Sequence, residues 1–134
     1  MERVFDKVGG YEFFVGLVDG FYERVEGDPV LRPLYPEGED GLRASREHLA
    51  LFLSQYWGGP PVYNETRGAP MLRARHLPFR IGVAERDAWF GHMKAAVEES
   101  GLAEEIVAEL LDYFDKAATH LINDHDLNIV PPAT

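Results

Sequence analysis

His76 is the residue of this sequence best placed to do chemistry. It stands in Arg73-Ala74-Arg75-His76-Leu77-Pro78-Phe79-Arg80, on a short helical turn that must end at Pro78, because proline has no backbone N–H and disfavours helix just before itself. Leu72 and His76 are i and i+4 and share one face of that turn. An imidazole held there can bind a metal through one ring nitrogen while its other N–H donates to a backbone carbonyl, with that of Leu72 in reach. A lone histidine is more often a satisfied side chain beside a loop, so the rest of the chain has to decide between these readings. The other histidines offer less. His48, His92 and His120 fall in helical segments with no histidine at i+4, His125 lies near the end, and no His-x-x-x-His pair exists to hold zinc. Ser45 and His48 are i and i+3, yet no orienting carboxylate and no sharp nucleophile turn accompany them. Glu98-Glu99 and Glu104-Glu105 read as solvated helix ends. There remains a set of aromatics with polar ends, Tyr22, Tyr35 and Trp89, each beside an expected core face, whose O–H and N–H need partners when buried.

The elements that must position these residues are helices. A short helix over 2–8 stops at Gly9-Gly10. From Tyr11 to Glu26, Phe14, Leu17, Val18, Phe21 and Val25 repeat along one helical face, with Tyr22 one turn on from Val18. Asp28-Pro29 reads as an N-cap followed by a first-turn proline, opening a brief helix that ends near Leu34. The acidic stretch Glu37 to Gly41 is expected to be a solvated loop, since it lacks calcium-loop spacing. A third helix from Leu42 to Trp57 places Leu42, Ser45, Leu49, Phe52 and Tyr56 along one side, with Ser45 the odd polar member. Gly58-Gly59-Pro60-Pro61 ends it, and the next dozen residues carry no apolar period, which predicts a long loop leading to His76. Two more helices, Ala84 to Glu99 and Ala103 to Asn123, carry Trp89, Met93, Ala96 and Val97, then Ile106, Leu110, Phe114, Ala117, Ala118 and Leu121. Residues 1–123 form one domain, and the tail from Asp124 to Thr134 is expected to be frayed or disordered. With no strand alternation, repeat or low-complexity segment, the fold class is all-α.

Composition narrows the chemistry. The chain has 134 residues, enough for one domain with a real core, and no cysteine. Disulfides, thiolate nucleophiles, cysteine-bound zinc and cysteine-bound iron–sulfur clusters are excluded, so any metal rests on His, Tyr or carboxylates. No apolar run reaches membrane-spanning length and the start lacks a secretory pattern, so a cytoplasmic location is expected. A formal net charge of −10 with no basic stripe argues against nucleic acid and anionic membranes as partners.

Several segments in order resemble a truncated haemoglobin of group II. They are Val8-Gly9-Gly10, Phe21-Tyr22, Leu34-Tyr35-Pro36, Gln55-Tyr56-Trp57-Gly58-Gly59-Pro60, the stretch from Arg73 to Ile81, and Glu85-Arg86-Asp87-Ala88-Trp89. The glycine pairs alone are weak signals. The Tyr-Trp-Gly-Gly and Arg-His-x-Pro-Phe segments at their separation are specific, and the match runs over residues 5–123. The resemblance implies a two-over-two helical sandwich around haem b, with His76 as the proximal iron ligand. It implies Tyr22, Tyr35 and Trp89 as distal hydrogen-bond donors, Ser45 and Leu49 lining the distal side, and Arg75 and Tyr63 as candidates for the haem propionates. The acidic loop before the third helix is longer than in many members. Elementary chemistry agrees with the assignment: a globin iron needs one neutral imidazole and an open position, and distal polarity separates storage from activation. Donors converging on a ligand with superoxide character stabilise it through charge-assisted hydrogen bonds. The apolar faces around Phe14, Leu49, Phe52 and Met93 are expected to supply a dry pocket.

The implied ligands are O2, CO, NO or a peroxide, with a reductase as electron donor; a homo-oligomer is left open. A donor-rich pocket favours retention, which suits NO or peroxide detoxification or sensing better than oxygen storage and transport. The competing reading, from a different class, is a haem-free helical interaction module in which His76 and the aromatics are only core. The charge balance gives a first prediction. The protein should show no retention of duplex DNA in a gel-shift titration at moderate salt, and binding that weakens steeply with added salt would reveal a local basic surface.

Overall fold

A computed structural model describes residues 2–124. It consists of seven α-helices and one 3-10 turn: α1 (Val4–Val8), α2 (Tyr11–Glu26), the turn Arg32–Leu34, α3 (Gly38–Tyr56), α4 (Val62–Arg67), α5 (Leu72–His76), α6 (Val83–Glu98) and α7 (Glu104–His120). No strand occurs among the described residues. Helix α2 packs on both α3 and α6, α6 packs on α7, and the short α4 lies against α3. The four long helices thus form two pairs laid over one another, an all-α two-over-two sandwich.

The periodic faces go where their spacing requires. Phe14, Val18, Phe21 and Val25 of α2 meet Leu53 of α3, Met93 and Val97 of α6, and Leu110 and Phe114 of α7 in one core, none of them more than 1% exposed. Each such side chain contributes about 1.5–3 kcal/mol relative to leaving it in water. The aromatic members meet edge-on or tilted, Phe21 with Tyr22 at 4.9 Å and with Trp89 at 5.2 Å between ring centroids. That geometry suits their quadrupoles and fixes the directions of the two polar rings.

Three local readings change in the structure. The acidic stretch expected to be a loop is instead the first turn of α3, which begins at Gly38. Glu39 and Asp40 sit at the positive end of that helix's dipole, and this offsets the poor helix propensity of the two neighbouring glycines. Gly41 is there for space: a Cβ on it would lie 2.5 Å from the Pro36 carbonyl oxygen and 2.6 Å from the Pro36 Cβ. The expected long loop contains α4, which buries only Tyr63 and so shows no period in sequence. It is tied to α3 by a two-way bond in which Gln55 Nε2 donates to Asn64 Oδ1 and the Asn64 N–H donates to Gln55 Oε1, both at 3.0 Å. Finally, α7 ends at His120, with Leu121 still in a closing turn, and beyond it Asn123 N–H and Asp124 N–H both donate to the Ile81 carbonyl, at 2.9 and 3.0 Å. Asp124 also pairs with Arg80. The rest of the expected tail, residues 125–134, lies outside the described residues.

The Tyr56-Trp57-Gly58-Gly59 segment is a junction. The Phe5 N–H of α1 donates to the Trp57 carbonyl at 3.0 Å, and the Gly59 N–H donates to the Ser54 carbonyl at 2.8 Å. A Cβ on Gly59 would stand 2.5 Å from a Phe5 ring carbon and 2.8 Å from the Ser54 oxygen. Gly59→Ala should therefore cost about 1–3 kcal/mol in urea unfolding, the range for overpacking. Gly16→Ala, inside α2 with nothing within 4 Å of the added carbon, should instead stabilise by about 0.5–1 kcal/mol. Equal effects of the two would show that helix propensity, not close approach, governs both positions.

Candidate haem site

Helices α2 to α7 and the connection after α2 line a cavity of about 540 Å³, a size suited to a cofactor. Its lining includes His76, Tyr22, Tyr35, Trp89, Ser45, Leu49, Phe52, Tyr63 and Arg75, nine of the ten residues singled out from sequence. Met93 is the tenth. It is fully buried, as is Phe14, but both belong to the core beneath the cavity and neither lines it. Helical periodicity told which side faced inward, not which of two interior volumes that side met.

His76 closes α5, the helix that Pro78 cannot continue. Its Nδ1 lies 2.6 Å from the Leu72 carbonyl oxygen. A carbonyl can only accept, so Nδ1 carries a proton, and in the neutral ring the lone pair is then on Nε2. Nε2 has no hydrogen-bond partner among the described residues, which leaves it as the free ligand atom of a residue that lines the cavity. No group of three or more His, Cys, Asp or Glu side chains among the described residues is arranged to hold a metal ion. A metal bound by His76 must therefore bring its other ligands with it, as an iron porphyrin does, and a cavity with one free imidazole nitrogen fits that group.

The polar wall comes from α2, α3, α6 and the connection after the 3-10 turn. The Tyr22 and Tyr35 rings meet edge-on at 5.4 Å. Burial pushes the Tyr22 phenol well above its ordinary pKa, the adjacent Tyr35 hydroxyl adds to the rise, and a hydrogen bond with Ser45 works against it. Burial also raises Tyr35, while hydrogen bonding with Tyr22 and Trp89 pulls it back. Both phenols therefore stay protonated at neutral pH and can donate. Each phenol senses the other, with Ser45 beside Tyr22 and the Trp89 indole beside Tyr35, so the four polar groups are neighbours on one wall of the cavity.

At the rim lie His48, which the sequence offered only as a helical histidine without an i+4 partner, and Arg67, which it did not single out. Arg67 Nη1 is 3.0 Å from His48 Nε2, so the guanidinium donates and the imidazole accepts. The His48 pKa is lowered by burial, by Arg67 and by Arg75, against the opposing charge of Glu47. His48 directly precedes Leu49 on α3, so its place beside the cavity was readable in principle, whereas Arg67 needed α4. The guanidinium groups of Arg67 and Arg75 each lie 5.8 Å from the centre of the Tyr63 ring. Arg75 is largely committed elsewhere: its Nε donates to the Pro70 carbonyl at 2.7 Å and its Nη2 to the Arg67 carbonyl at 2.9 Å, bracing the path from α4 to α5.

The family of bacterial-like globins matches residues 3–123. The chain belongs to this family, as a group II truncated haemoglobin. It is 45% identical over 114 residues to a group 2 truncated haemoglobin of Bacillus subtilis, covering 85% of this chain and 84% of that protein. A haemoglobin of Chloroflexus aurantiacus superposes with a TM-score of 0.88 at 46% identity, covering 92% of this chain and 100% of that one. A thermostable haemoglobin of Thermobifida fusca gives 0.86 at 48% identity, with 91% and 98% covered. Membership makes the chain a haem-binding, oxygen-binding protein. No helix among the described residues of this globin is long and apolar enough to cross a membrane.

Behind the polar wall the globin carries a hydrogen-bonded histidine–carboxylate contact that joins α6 to the connection after α2. Asp28 Oδ1 accepts from the Val30 and Leu31 N–H groups at 2.7 and 3.3 Å, while its Oδ2 meets His92 Nε2 at 2.5 Å. His92 is one turn beyond Trp89, and Leu31 lines the cavity. The His92 bond, followed by those two N–H groups, holds the Asp28 carboxyl below its ordinary pKa. A lowered folded-state value means stability that is complete above the unfolded value of about 3.9 and lost as pH falls through the lower folded value. Asp28→Asn should accordingly lower the urea midpoint at neutral pH and converge with the parent in strong acid. A constant difference across the acid limb would remove the carboxylate from this role.

Proposed function

We propose that this truncated globin holds haem b through His76 Nε2 and uses Tyr22, Tyr35 and Trp89 to retain O2 in the cytoplasm for redox chemistry such as NO or peroxide detoxification, rather than to carry it. The observation that carries this reading is the His76 imidazole, tied through Nδ1 to Leu72 and sharing one cavity with the three donors. When bound, haem supplies a redox-active iron with a position open to a diatomic gas or a peroxide. The chain's own residues supply the rest. The Leu72 carbonyl keeps the imidazole in the tautomer that can ligate and raises its basicity. The two phenols, protonated because they are buried, and the indole N–H present donors where a reduced diatomic ligand gathers negative charge. Leu49 and Phe52 help keep water from that charge, which strengthens each hydrogen bond. His48, Arg67 and Tyr63 form the polar rim suited to the carboxylates of a porphyrin, with Arg75 contributing through the frame it braces. Repeated turnover draws electrons from outside, so a reductase is the implied partner.

Two experiments test the two halves. His76→Gly should lose most of its Soret absorbance, or keep it only when free imidazole is supplied, while His92→Gln and His120→Gln leave the spectrum unchanged. A colourless parent protein that stays colourless with added haemin would favour a helical interaction module. On the donor side, a hydrogen bond to a charged partner is worth about 1.5–3 kcal/mol, and about 1.4 kcal/mol is tenfold in rate. Trp89→Phe should therefore speed O2 release on the order of 10- to 100-fold, Tyr22→Phe less, and the double variant by more than the sum in free energy, because the donors are coupled. Stopped-flow mixing of the oxygenated protein with excess CO measures this. Off-rates unchanged in all three variants would make these aromatics packing residues and support a simple carrier.

A further inference from the structure

We infer that Asn123 is a positioning residue for His76, holding the backbone on which the imidazole is mounted. The inference rests on His76 as the iron ligand. The side chain of Asn123 reaches back to the turn after α5, 47 residues earlier in the chain, and there its Nδ2 donates to the His76 carbonyl at 3.1 Å. The same nitrogen donates to the Phe79 carbonyl at 2.8 Å, and its Oδ1 accepts from the Ile81 N–H at 2.9 Å. Its backbone N–H adds a fourth bond, to the Ile81 carbonyl at 2.9 Å. One residue thus satisfies four backbone groups of the segment 76–81.

The chemistry explains why an amide is needed. Pro78 ends α5 and offers no N–H of its own, so the carbonyls that follow the last turn have to find donors elsewhere. Phe79 N–H reaches the His76 carbonyl at 3.0 Å, but the Phe79 carbonyl depends on Asn123 among the described residues. A carboxamide carries two donors and an acceptor in one plane, so it can bridge two carbonyls and an N–H at once; an aspartate has no donor and a leucine has neither. Arg73, on α5 itself, runs alongside: its Nη1 donates to the His120 carbonyl at 2.7 Å. Two ties therefore act on the imidazole at different levels. The Leu72 carbonyl fixes the ring and its tautomer, and Asn123 fixes the main chain that carries the ring. Loss of the second leaves the tautomer correct and the mounting loose.

The test uses the full-length haem-loaded protein and reads the iron–histidine stretching band of the deoxygenated ferrous form by resonance Raman, together with haem transfer to excess apomyoglobin. In Asn123→Ala the band should shift and broaden, and haem should leave about tenfold faster, on the scale of a few lost hydrogen bonds. A merely structural role would lower thermal stability without moving the band. Val25→Ala is the control: Val25 is fully buried in α2 and does not line the cavity, so it should lose stability while its band stays in place. If Asn123→Ala yields no folded protein, Asn123→Asp, which keeps the acceptor and loses both donors, should move the band in the same way. A band superimposable on the parent's in whichever variant folds, with haem loss no faster than in Val25→Ala, overturns the inference. A parent band that persists in His76→Gly instead overturns the assignment of His76, and the inference with it.

Discussion

The hydrogen bond from the His76 Nδ1–H to the Leu72 carbonyl is the interaction on which the site depends. It selects one tautomer and gives the ring a direction, yet it is made within a five-residue helix. Helices of that length do not persist alone, because nucleation costs more than one turn of bonds returns. The helix persists here because its surroundings hold it at both ends. On one side Arg75 grips the carbonyls of Pro70 and Arg67. On the other, the residues after α7 pair with the turn that follows His76. A strained entry accompanies this frame: Met71 has a positive φ of 42°, the one non-glycine residue of the described chain in that region. Such a conformation costs of order 1–3 kcal/mol, which the bracing must offset.

The polar wall obeys a second constraint. Buried hydroxyls without partners cost about 1–3 kcal/mol each, so two tyrosines in an apolar interior need company. Here they partner one another, with Ser45 and Trp89 at the two ends of the row. Edge-on contacts from Phe21 to Tyr22 and from Tyr22 to Tyr35 set the ring directions, and the Asp28–His92 pair fastens α6 to the connection that carries Tyr35. The wall is therefore held in its apolar parts, while its polar groups lie beside one another in one cavity, in place for a small ligand at little reorganisation cost.

How much of this could be read from the chain follows from what leaves a periodic trace. Helices α2, α6 and α7 bury a stripe, and their extents were readable to within a few residues. Helix α4 buries Tyr63 alone and left no stripe. The start of α3 was hidden by two glycines whose reasons are tertiary, most plainly the approach of Gly41 to Pro36. The expected Leu72 bond was legible because i and i+4 geometry is local. Met93 and Phe14 show the limit of the same logic: a residue can face inward and still miss the cavity. Tyr56, aligned with the inward side of α3 by spacing, is half exposed and stacked on Tyr113 at 4.2 Å, because α3 ends there and α7 supplies the surface. His48 and Arg67 meet only after α4 has formed. Asn123, one polar residue at the end of a helical pattern, carried no signal of its bonds to a turn so far back in sequence.

The bracing of the histidine turn by residue 123 has a consequence for the order of events during synthesis. A chain emerging from the ribosome presents His76 and every tyrosine of the polar wall well before α7 and the residues behind it exist. Domains fold as units once their last elements arrive, and here residues 121–124 complete the frame of His76, the proposed iron ligand. A nascent chain would therefore hold a loosely mounted imidazole, with a cavity still missing the Phe114, Ala117, Ala118 and Leu121 wall. Haem capture through His76 would accordingly have to wait for α7 and the residues behind it, not only for the ligand.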